Sequence, residues 1–154
     1  MEKMLNVAKA LYDMYYEQSG THMDEMKMHK LMYFAQRESL MYNDEPLFEG
    51  AFYGWKYGPV LKEVRSEYHY YSSAPFANVV EKVSEGTLEL LRSVMKQYGS
   101  LSSWDLSRLS HEEFSWKKAR KGLESGEDGD VKLSLDAMKV DAMKELVARK
   151  VATV

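Results

Sequence analysis

Apolar side chains recur at three- and four-residue spacing along most of this chain of 154 residues, the signature of amphipathic helices packed by one face. The stretch around which the others are organised is residues 24–42. There Met28, Leu31, Met32, Ala35 and then Leu40 or Ser39 keep the spacing of one buried stripe, while Lys27, Lys30, Gln36, Arg37 and Glu38 supply the expected wet face. Asp24 is placed to cap the N-terminus. Asn43-Asp44-Glu45-Pro46 stops the helix, because the residue before proline leaves the α region and Asn and Asp favour turns.

Before this stretch, the pattern predicts a helix over residues 6–18, with Asn6 as N-cap, Ala8, Leu11, Tyr12 and Tyr15 inward, and Gly20 closing it. After it, residues 51–57 are extended and aromatic, interrupted by Gly54. They end in Gly58-Pro59, where Pro59 is preset for the first turn of a third helix carrying Val60, Leu61, Val64 and Tyr68. Ser72-Ser73-Ala74-Pro75 reads as a loop, and residues 76–84 fit either a short helix or more loop. Leu88, Leu91, Val94, Met95 and Tyr98 mark a fourth helix ended by Gly99.

Ser102 with Asp105 has the spacing of a capping box and opens a short helix presenting Trp104, Leu106 and Leu109. His111-Glu112-Glu113 is a turn, and a helix over 114–123 carries Trp116, Ala119 and Leu123 on one side. Residues 124–130, ESGEDGD, lack any apolar side chain and read as a mobile surface loop. Val131-Lys132-Leu133 alternates as a short strand able to pair with residues 52–55, and a last helix over 134–150 buries Leu135, Met138, Ala142 and Leu146. The fold class that follows is mainly α with a minor β element: a single compact domain over residues 1–154, with about six or seven helices around residues 24–42.

Composition narrows the function classes. With 45% hydrophobic and 29% charged residues the chain is expected to fold, and no apolar run approaches the roughly 20 residues that span a bilayer, so no membrane role is expected. The N-terminal helix is broken by Asp13 and Glu17 and is not a signal peptide, and Cys is absent; a cytoplasmic protein is indicated. The net charge of −3 argues against a general grip on nucleic-acid phosphates. Eleven Met residues are many for this length, and those between residues 14 and 41 fit either core filling or an adaptable binding surface.

His111-Glu112-Glu113 lacks the second His of a metalloprotease helix, since position 115 is Ser115, so the imidazole is expected to brace the turn. Gly54 and Gly58 have no P-loop Lys after them, and Pro59 removes an amide that a phosphate cradle would use. His22, His29 and His69 are scattered, and nothing points to an enzyme. Residues 102–111 and 114–123 have the size of a helix-turn-helix, with Lys117, Lys118, Arg120 and Lys121 as the candidate nucleic-acid contacts. Those charges form no single stripe, and a basic face for a protein partner is the commoner explanation. Strand alternation sends Phe52, Gly54 and Lys56 to one side and Tyr53, Trp55 and Tyr57 to the other; Trp55 is expected in the core, with an exposed binding anchor as the alternative.

Three segments, KMHKLMYFAQ, PLFEG and YGWKYGPVLKEV, followed by LSSWDLSRLSHEEFSWKKAR, resemble the Panacea domain, the SocA/GepA-like group of phage- and plasmid-associated bacterial proteins. His29 stands where that family usually has Gln, and Gly54 where it usually has Ala. The resemblance marks Lys27, Lys30, Tyr33, Gln36, the run Trp55-Lys56-Tyr57-Gly58-Pro59, His111, Glu112 and Trp116 as family-motif positions and candidate partner contacts. It implies a type II antitoxin that binds a protein toxin encoded by a neighbouring gene, with a further role as an adaptor presenting that toxin to a cytoplasmic protease. No cofactor and no catalysis are implied. The reading from a different class is a phage-associated DNA-binding regulator using residues 102–123.

Overall fold

The structure, a computed structural model, describes residues 1–152. In chain order its elements are α1 (Met4–Ser19), α2 (Glu25–Asn43), β1 (Phe52–Trp55), β2 (Gly58–Leu61), α3 (Lys62–Tyr70), α4 (Glu85–Tyr98), α5 (Ser103–His111), α6 (Phe114–Ala119) and α7 (Leu135–Ala152). The fold is mainly α with a minor β element, and α1, α3, α4, α5, α7 and β2 all pack on α2. No helix among the described residues is long and apolar enough to cross a membrane.

Enclosure of α2 overturns its expected wet face. Fifteen of its nineteen residues are buried, Lys27, Lys30, Gln36, Arg37 and Glu38 among them. A helix surrounded on every side has no face left for water, so its polar groups must find partners on other elements. Gln36 staples the following segment, donating to the Phe48 carbonyl at 2.9 Å and accepting from the Leu47 amide at 2.8 Å. Lys27 donates to the Gly99 carbonyl at 2.8 Å. Arg37 meets the Glu113 carboxylate and the Tyr98 hydroxyl, and Glu38 accepts both terminal nitrogens of Arg149 from α7.

Several boundaries follow local chemistry. The Asp24 carboxylate accepts from the Lys27 amide, the Ser102 hydroxyl accepts from the Asp105 amide, and Gly20 closes α1 at φ +74°. α1 starts at Met4 rather than after Asn6, whose side chain instead donates to Glu81. Pro59 opens no helix: it lies in edge strand β2 opposite Gly54, where a missing amide is tolerated, and α3 begins only at Lys62. Residues 76–84 form turns and irregular chain.

The expected helix over 114–123 ends at Ala119, because Arg120 folds inward. Its guanidinium donates to the Gly54, Glu124 and Glu127 carbonyls, which also ties down the loop expected to be mobile. Residues 131–133 pair with β1 through one bridge, Tyr53 to Lys132. On α7, Met138 and Ala142 are buried as expected, but Leu135 is exposed and Leu146 half-buried. Asp141 takes the central inward position, where it accepts the Phe114 and Ser115 amides and the Tyr33 hydroxyl.

Candidate functional site

The hairpin of β1 and β2 turns through Lys56 and Tyr57 directly over α2, and Gly58 opens β2. Gly58 has φ +121°, a conformation that suits glycine, and its open α-carbon lets the Lys30 side chain pass. Ser107 fixes the turn by donating to the Tyr57 carbonyl at 2.7 Å, and Ser110 donates in turn to the Ser107 carbonyl. Trp116 reaches from α6 to donate to the Trp55 carbonyl at 2.8 Å, and the His111 ring stacks on its indole at 4.2 Å. Buried partners therefore hold this hairpin in place.

Between the hairpin, α2, α3 and residues 128–130 lies a pocket of about 610 Å³. Lys30 forms its floor and is only 1% exposed. Trp55, Tyr57, Met26 and Val60 make the apolar walls, and charged side chains crowd the rim. Trp55 is half-buried rather than in the core: its indole N–H donates to Asp130 at 2.9 Å, and the Arg65 guanidinium lies 5.0 Å from its ring centre. Alternation placed it correctly on the face opposite Phe52 and Gly54, which are buried. That outer face is the pocket wall.

The electrostatics of the floor follow from burial. Burial lowers the Lys30 ammonium to about 8, with Glu25 and Asp24 opposing the shift, so it stays mainly protonated at neutral pH. His29 accepts the Leu61 amide on Nδ1 and meets Glu25 through Nε2, which fixes the Nε2–H tautomer; burial lowers its pKa and favours the neutral ring. Burial also lowers His111, and the Lys30 charge adds to that shift.

Of the residues singled out from the sequence, the structure gathers Lys30, Trp55, Lys56 and Tyr57 around the pocket, with Gly58, His111 and Trp116 supporting them from behind. Pro59 is buried in β2. Lys27, Tyr33 and Gln36 lie elsewhere in the core and serve structure, and Glu112 is exposed, facing Lys117 at 3.6 Å. Lys117, Lys118 and Lys121 are exposed, whereas Arg120 is buried on backbone carbonyls. The four-residue basic face is therefore not assembled, and a six-residue α6 is short for a recognition helix.

Sequence reading missed Glu25, Lys62, Arg65 and Asp130 at the rim. Nothing in their local pattern marks them, since Asp130 meets Trp55 and Lys62 only through the tertiary fold. Among the described residues no cluster of His, Cys, Asp and Glu could hold a metal ion.

A family model described as antitoxin SocA-like, Panacea domain, matches residues 28–117, a span from the first turn of α2 into α6 that includes the pocket floor and the hairpin. No curated protein and no solved structure matches the chain.

Proposed function

This chain belongs to the antitoxin SocA-like, Panacea-domain family, and from that premise we propose that it is a protein-binding antitoxin which neutralises a toxin encoded by a neighbouring gene. The family match carries this reading. It works by binding alone, without cofactor or catalysis. In support, large apolar side chains are exposed beside the pocket mouth: Tyr57 is 48% and Trp104 58% exposed, and their rings meet edge to face at 5.6 Å. Aromatic anchors of this kind dominate protein-binding hot spots. Delivery of the bound toxin to a cytoplasmic protease is a further step that the same complex would permit.

Expression of the adjacent small gene alone is expected to stop growth, and co-expression of this chain to restore it. No arrest, or arrest unrelieved by this chain, would remove the reading. Sequence-specific retention of the chain's own upstream DNA at physiological salt would favour a regulator instead.

A further inference from the structure

The pocket's charges do not balance, and the imbalance sits at its floor. Glu25 faces His29 at 2.9 Å, Arg65 at 3.3 Å and His69 at 3.2 Å. Asp130 faces Lys62 at 3.0 Å and also accepts the Trp55 indole N–H, and Asp128 faces Lys56 at 3.6 Å. Each carboxylate lining the pocket thus has a cation of its own. Lys30 touches none of them: among the described residues its ammonium makes no hydrogen bond and no ion pair, Glu25 and Asp24 act on its charge only from a distance, and the residue is 1% exposed.

A desolvated ammonium without a partner is costly unless something brings it a negative charge. Lys30 lines the pocket, and a ligand there can reach it. Gly58 lies against the end of its side chain, and the other cations of the lining repel a second cation. The approach runs between Trp55, Tyr57, Met26 and Val60, a passage suited to a carboxylate carried on an apolar body and unfavourable to a heavily hydrated ion such as free phosphate.

We propose that this pocket is a receptor for one carboxylate of a partner polypeptide, seated on the Lys30 ammonium with its apolar stem between Trp55 and Tyr57. The choice of a polypeptide rests on the antitoxin reading; the carboxylate pocket rests on the geometry alone. Tyr57 and Trp104 are continuous with the pocket mouth, so a bound chain would cover them while its acidic group enters.

The test has two arms. In the first, the full chain is titrated with 3-phenylpropionate and with its neutral amide while the indole N–H resonance of Trp55 is followed. The acid is expected to give a saturable shift, and the amide and Lys30→Met to bind roughly ten- to a hundredfold more weakly, the loss expected for one charge-assisted hydrogen bond. No saturable shift, or equal shifts from acid and amide, overturns the pocket, and the amide comparison needs no variant.

In the second arm, affinity for the neighbouring gene's product is measured with the parent and with Lys30→Met at a temperature where both are fully folded. A similar loss supports the docking assignment. An unchanged affinity overturns that assignment and leaves the antitoxin reading intact. If the parent binds no such product, the antitoxin reading fails and the polypeptide falls with it, while the first arm still decides the carboxylate.

Discussion

Gly58 and Lys30 share one small space: a Cβ on Gly58 would stand 2.8 Å from Lys30 Cε and 2.6 Å from Ser110 Oγ. The glycine that follows the hairpin turn and the lysine at the pocket floor are therefore one feature, although 28 positions separate them in the sequence. Gly58→Ala would have to hold φ near +121° and also push the lysine aside. A loss of roughly 1–3 kcal/mol from strain is expected, with more from the contact. A thermal melt checks this, and a parent-like melting temperature would show that the turn relaxes freely.

Lys30→Met should stabilise the protein at neutral pH, because the fold holds this ammonium in a desolvated site. The folded pKa lies near 8 against 10.5 unfolded, so between those values the unfolded chain binds more protons and the Lys30 contribution to stability rises with pH. Below about 8 that contribution is lost, at a cost of up to roughly 3 kcal/mol. Buried tyrosines such as Tyr33 have raised pKa values and act in the opposite direction at high pH, so the difference between parent and variant is the quantity to follow. Denaturant unfolding from pH 7 to 10.5 should show the variant's advantage shrinking as pH rises; a constant difference would mean that Lys30 is not desolvated.

Asp141→Ala should be the most damaging of these changes. The carboxylate accepts two backbone amides at the start of α6 and the Tyr33 hydroxyl, and each donor left buried without a partner costs about 1–3 kcal/mol. A loss above about 3 kcal/mol in urea unfolding is expected. A loss under 1 kcal/mol would imply that water replaces the carboxylate.

Trp55→Ala should cost less than the ~3–5 kcal/mol typical of emptying a core site, since the indole is half-buried against Arg65 and Asp130. Binding of a pocket ligand should weaken at the same time. A collapse in stability without any specific effect on binding would return Trp55 to the core role expected from the sequence.

The helices and caps were legible in the sequence because they depend on neighbours three or four residues away. Asp24, Ser102 and Gly20 all cap as their types predict. The polar side of α2 was misread for the opposite reason. The partners that justify burying Lys27, Gln36, Arg37 and Glu38 lie 11 to 111 positions away, and a helical pattern cannot tell water from a distant carboxylate. Asp141 did leave a trace. It occupies an apolar-stripe position three residues after Met138, where a carboxylate calls for a buried task. The pocket had no such signal: Lys30 and Asp130 acquire meaning only when Gly58 and Trp55 bring α2, the hairpin and residues 128–130 together.

Direct binding of the chain to its partner is decided by co-expression with the neighbouring gene's product followed by size-exclusion chromatography. One co-eluting species is expected, present under the same conditions that restore growth. Restored growth with two separate peaks would contradict direct binding and point to indirect action, such as repression of the toxin gene.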